Sequence, residues 1–125
     1  MAASVTGRAD ILRNSLTYMN MDTPPHQAQA EDLLHAVFGL QAFRPGQAEI
    51  VGRLLARQNA LVVMPTGAGK SLCYQIPALV FDGLTVVISP LVALMDDQVA
   101  ALRALGVDAA CIHSGRERDA NVADW

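Results

Sequence analysis

Residues 64–71 read Met-Pro-Thr-Gly-Ala-Gly-Lys-Ser, and residue types at this spacing suit the capture of a polyphosphate. Gly67 and Gly69 let the backbone turn tightly and aim N–H groups inward. A helix beginning behind them adds partial positive charge at its N-terminus. Lys70 reaches terminal phosphates, and Ser71 offers a hydroxyl to Mg²⁺. Met64, Pro65, Thr66 and Ala68 complete the loop. The segment as a whole is expected to bind a nucleoside triphosphate, with Lys70 and Ser71 handling its phosphates and metal. The full pattern G-x-x-x-x-G-K-[ST] has a glycine where this chain carries Met64. The chemistry also needs a strand before the loop and a helix after it.

The flanking sequence offers both. An apolar run at 60–63 reads as a buried strand. Residues 70–81 read as the helix behind the loop, kinked or shortened by Pro77. Upstream, 30–38 suggests a helix with Leu33, Leu34, Val37 and Phe38 on one face and Gly39 as its stop. Pro45 suits the first turn of a second helix carrying Ile50, Val51, Leu54 and Leu55. Downstream come a β-branched strand at 84–88, a helix at 91–105 closed by Gly106, a short strand at 109–112, and the start of a further element at 116–125. Strands alternating with helices predict an α/β fold, a parallel sheet with helices on both faces. The ligand then lies at the carboxyl ends of the strands, where the loop is.

Residues 1–28 read as a weakly ordered leader, with a short helix at 8–18 and an extended linker around Pro24 and Pro25. Met19 and Met21 are alternative starts to Met1. The domain proper is expected over 29–125. With 125 residues the chain suffices for one small domain, and 52% hydrophobic content makes it globular. No apolar stretch approaches the roughly 18 residues needed to cross a bilayer. Cys73 and Cys111 lack metal-site spacing and read as buried free thiols in a reducing compartment, here the cytoplasm. A net charge of −3 lacks the basic excess of many nucleic-acid binders and decides nothing about such a partner. His26 and His35 read as solvent-facing, and His113 as a strand-end residue rather than a catalyst.

Two further segments narrow the reading. Residues 34–47 carry Leu34, Phe38-Gly39, Phe43-Arg44 and Gln47 at fixed spacing. This arrangement resembles the first motif of the RecQ family of DNA helicases. Residues 87–99, containing Ser89-Pro90-Leu91 and Asp97-Gln98, look like that family's motif Ia. The resemblance runs from about 33 to 114. DEAD-box RNA helicases share an upstream glutamine and a similar phosphate loop, but usually have Pro-Thr-Arg-Glu-Leu where this chain has Ser89-Pro90-Leu91. The resemblance implies a RecA-like P-loop NTPase fold, ATP and Mg²⁺ as cofactors, and 3′ to 5′ unwinding of single-stranded or forked DNA. It implies that Gln47 reads the adenine edge, since a carboxamide matches adenine's amino group and N7. Arg44 is implied near the nucleotide, and Leu40 against the base. Ser89, Pro90 and Leu91 are implied to touch the DNA backbone, although Ser89 reads equally as an ordinary helix cap. Asp97, Gln98 and Ser114 match the family without an assignable step.

A motor of this kind also uses an acidic residue on a later strand to hold Mg²⁺. In the family this comes from an Asp-Glu-x-His motif, which is absent from this sequence. The expectation is therefore the N-terminal part of a helicase motor, incomplete as a RecA-like domain. It acts near the nucleoid in its parent protein, and alone it binds nucleotide weakly without turnover. The alternatives are a non-enzymatic nucleotide-binding module, an RNA helicase, and a small P-loop kinase or other hydrolase.

Overall fold

The computed structural model describes residues 2–6 and 25–123. It resolves into two compact units, one of residues 9–81 and one of residues 1–8 with 82–125. The expected helix at 8–18 and the alternative starts at Met19 and Met21 lie outside the described residues.

Within the unit formed by residues 9–81, three helices pack on one another: α1 (Pro25–Ala36), α2 (Gln47–Leu55) and α3 (Lys70–Val80). α1 begins at Pro25, inside the segment expected to be an extended leader. Proline suits a first helical position, because its missing N–H would have no intrahelical partner there. Ala30, Leu34, Val51, Leu55, Leu72 and Ile76 form the core, flanked by Phe38, Phe43, Val80 and Phe81. Helical spacing puts these residues on facing stripes. Pro45 stands before α2 rather than in its first turn, because Gly46 is the N-cap in a left-handed conformation. Residues 60–63, expected to be a strand, form none. Leu61 is 96% and Val63 90% exposed. A strand exists only through hydrogen bonds to a neighbour, and among the described residues nothing pairs with this run.

The second unit contains β1 (Ala2–Thr6), β2 (Leu84–Val87), α4 (Val92–Ala104), β3 (Asp108–Ile112) and α5 (Arg118–Ala123). The sheet order is β2-β1-β3. β1 pairs antiparallel with both neighbours, Ala3 opposite Val87 and Cys111. The purely parallel sheet expected from the sequence is therefore not what forms. β2 and β3 do run in the same direction, as a strand–helix–strand crossover requires, but β1 lies between them. Its residues belong to the segment expected to be a weakly ordered leader. α4 packs on β3, burying Met95, Val99 and Leu102 with Val107, Ala109 and Cys111. Among the described residues no helix is long and apolar enough to cross a membrane.

Candidate functional site

The phosphate loop enters α3 through Gly69, which caps the helix in a left-handed conformation (φ 83°, ψ 31°). Gly67 is left-handed too, at φ 80°, whereas Ala68 between them is not. Alternating handedness of this kind turns successive backbone N–H groups toward one concave side, the geometry of an anion nest. Here the loop satisfies its own groups. The Ala68 N–H donates to the Pro65 carbonyl at 3.2 Å. The Lys70 ammonium donates to the carbonyls of Met64 at 2.6 Å and Pro65 at 3.0 Å. Thr66 and Lys70 are exposed, and Ser71 is half-buried as the second residue of α3.

Onto this loop folds the segment that opens α2. Gln47 is 2% exposed. Its Oε1 accepts from the Arg44 N–H at 2.8 Å, and its Nε2 donates to the Gly69 carbonyl at 3.0 Å. The Arg44 guanidinium donates to the Gly67 carbonyl at 2.8 Å. Two residues picked out by the upstream motif thus hold the two glycines of the loop. A Cβ on Gly69 would meet Gln47 Nε2 and force the carboxamide to move, and the positive φ there strains any other residue. Cys73, buried one turn into α3, brings its thiol within 4.0 Å of the same Gly69 carbonyl. Burial pushes the Cys73 thiol up, partly countered by a hydrogen bond from its own backbone. Leu40 lies on the connection between α1 and α2 and is 44% exposed. His35 steadies that connection through a 3.0 Å contact between Nε2 and the Gln41 carbonyl. The anchoring of the Gly67 and Gly69 carbonyls was not foreseen from sequence. Its signal was present in the glycines themselves, whose tight approach leaves carbonyls open to side-chain donors.

In the other unit, Ser89 Oγ accepts the Leu91 N–H at 3.2 Å, which makes residues 89–91 a closed turn leading into α4. Pro90 and Leu91 are exposed. Further along α4, Asp96 accepts from two residues of the neighbouring strand end. His113, then Cys111, hold its carboxyl below the usual carboxylate range. His113 is 5% exposed, which agrees with a strand-end position.

Residues 44–125 match the family model for the DEAD/DEAH box helicase. The chain belongs to this family. Membership carries the RecA-like P-loop fold, to which the nucleotide loop and the strand–helix–strand crossover correspond. Within this helicase family the sequence is similar to "ATP-dependent DNA helicase RecQ" of Pasteurella multocida, 55% identical over 92 residues, which are 74% of this chain and 15% of that protein. The RecQ helicase of Haemophilus influenzae is 59% identical over 87 residues, 70% of this chain and 14% of the relative. "ATP-dependent DNA helicase Q1" of Mus musculus is 45% identical over 100 residues, 80% of this chain and 15% of the relative. The chain thus spans about a seventh of the length of these relatives.

Proposed function

We propose that this chain supplies the ATP-binding loop of a RecQ-type DNA helicase motor. The observation that supports the reading is the seating of Arg44 and Gln47 on Gly67 and Gly69. It joins an adenine-reading motif to a phosphate nest, a combination with little use outside adenine nucleotide binding.

Each residue has a definite task in that reading. Polyphosphate entering the nest competes with the Met64 and Pro65 carbonyls for the Lys70 ammonium, exchanging two neutral acceptors for charged oxygens. Charge-assisted bonds of that kind are roughly twice as strong as neutral ones. Ser71, at the start of α3, provides a hydroxyl for Mg²⁺, which when bound supplies charge neutralisation between the outer phosphates. Gln47 spends one N–H on Gly69 and one lone pair on Arg44, which leaves one donor and one acceptor for an adenine edge. Guanine, with acceptors at both O6 and N7, lacks the donor that this pairing requires. Ser89, Pro90 and Leu91 contact the phosphates of single-stranded DNA. Single-stranded or forked DNA is the substrate of the whole protein, and unwinding runs 3′ to 5′. A soluble cytoplasmic setting beside the nucleoid fits that role.

The direct test is fluorescence titration of residues 1–125 with a fluorescent ATP analogue and Mg²⁺. Binding that ATP competes and GTP does not, lost in Lys70→Ala, is the expected result. Equal competition by GTP would remove the adenine assignment, and binding unchanged by Lys70→Ala would remove the site.

A further inference from the structure

A second group of chemically active side chains, none of them in the nucleotide loop, is carried by α4 and the end of β3. Strand periodicity puts Cys111 and His113 on the same face, and α4 lays Asp96 across them. Asp96 Oδ1 stands 3.2 Å from Cys111 Sγ and 3.1 Å from His113 Nε2. All three candidate ligand atoms lie within 4.8 Å of one another. Ligand atoms on a tetrahedral zinc, each about 2.0–2.3 Å from the ion, lie roughly 3.3–3.7 Å apart. The sulfur and nitrogen are buried, while the Asp96 side chain is 52% exposed and leaves a way in from solvent.

We propose that Asp96, Cys111 and His113 form a binding site for a zinc-class divalent cation, with three protein ligands and a fourth position open to water. The donor set of one thiolate, one imidazole and one carboxylate is borderline-soft, which suits zinc and cobalt and disfavours magnesium and calcium. Two anionic ligands offset the dication and the nearby Arg116 guanidinium, which donates to the Cys111 carbonyl.

The proton inventory makes a demand that the local backbone can meet. His113 Nδ1 accepts the Gly115 N–H at 3.2 Å, so in the metal-free protein Nε2 carries the hydrogen and donates it to Asp96. Binding through Nε2 moves that hydrogen to Nδ1, and the Cys111 thiol releases its own proton to solvent. Nδ1–H then needs an acceptor where Gly115 now presents a donor. Residues 113–116 form a β-turn, closed by Arg116 N–H on the His113 carbonyl at 3.2 Å. Gly115 is its third residue and lies outside the left-handed region, so the turn is not type II. Rotating the 114–115 peptide converts the turn to type II, which requires glycine at that position. The rotation replaces the Gly115 N–H with the Ser114 carbonyl beside Nδ1. Asn121 Nδ2, donating to the His113 carbonyl at 3.0 Å, holds the ring's own residue in place meanwhile. The structure thus contains both the ligands and the hinge that corrects the tautomer.

The test uses the 1–125 chain, stripped of metal and reduced, titrated with Co²⁺ and then displaced by Zn²⁺. One Co²⁺ per chain, with a thiolate-to-cobalt charge-transfer band, is expected in the wild type and in Cys73→Ser. The band should vanish in Cys111→Ser. In Asp96→Asn and His113→Gln the Zn²⁺ dissociation constant should rise more than ~100-fold, beyond the ~10–100-fold carried by outer-shell partners. Nitrogen-15 spectra of the wild type should show His113 Nδ1 becoming protonated on Zn²⁺ addition, a readout independent of any variant's folding. No charge-transfer band at stoichiometric Co²⁺, a band surviving Cys111→Ser, or an unprotonated Nδ1 in saturating Zn²⁺ would each overturn the site. ATP-analogue binding serves as the separate measure of the nucleotide loop, and Lys70→Ala should leave the cobalt spectrum unchanged.

Discussion

Substituting alanine for Gly69 tests how tightly the upstream motif grips the phosphate loop. Two separate costs arise. Alanine at φ 83° incurs about 1–2 kcal/mol of left-handed strain. Its Cβ also displaces the Gln47 carboxamide, a group only 2% exposed, and stranding a buried amide costs about 1–3 kcal/mol. Gly69→Ala should therefore destabilise by about 2–5 kcal/mol. Gly67→Ala is the control, because φ is 80° there but nothing lies within 4 Å of the new methyl; it should cost only the strain. The decisive measurement is a double-mutant cycle by urea unfolding. In a Gln47→Ala background the Gly69→Ala penalty should fall to about 1–2 kcal/mol, leaving a coupling energy of about 1–3 kcal/mol. Equal penalties in the two backgrounds would refute the claim that Gln47 and Gly69 act on each other.

Other outcomes follow from the same contacts. Lys70→Ala should change the unfolding free energy, read by urea, by less than about 0.5 kcal/mol, since the ammonium is exposed, even as it removes ATP-analogue binding; a large loss of stability would make Lys70 structural. Leu34→Ala or Ile76→Ala, each fully buried, should cost about 2–5 kcal/mol by the cavity left between the three helices, again read by urea unfolding. Burial holds the Cys73 thiol above the usual range for a cysteine, so it stays protonated to higher pH than a free thiol. In a Cys111→Ser background its alkylation at pH 8 should be slower than that of a model thiol and should recover in urea. Replacing Arg44 with lysine removes the planar fork aimed at Gly67 and should weaken ATP-analogue binding with little change in unfolding.

The parts legible in the sequence are those set by local chemistry. The Gly-x-Gly-Lys-Ser spacing located the loop because only certain backbones aim amides and a helix end at one point. The resemblance carried by residues 34–47 pointed to Arg44 and Gln47, and both reach the loop. α4 and β3 appear within a residue or two of their expected positions, the helix stopping just before Gly106 in its left-handed conformation and the strand following. The run at 60–63 failed, since β-propensity describes a surface awaiting neighbours and supplies none. β1 failed because five short residues beside a polar stretch carry no signal for which strands they will join. Asp96, on α4, lay within residues 87–99 with no role assigned to it. Only the return of β3 along that helix shows that it meets His113, 17 residues on. Cys111 and His113 at i and i+2 were the part of that cluster open to a reader of strand periodicity.

The bare run before the phosphate loop has a practical consequence. Leu61 and Val63 stand almost wholly in water, beside backbone amides and carbonyls that no described strand engages. An exposed apolar run with unpaired backbone groups is open to pairing with a second chain. Concentrated solutions of this polypeptide will therefore self-associate through residues 60–63, and a lysine at position 61 or 63 is the substitution that keeps the protein dispersed for every measurement above.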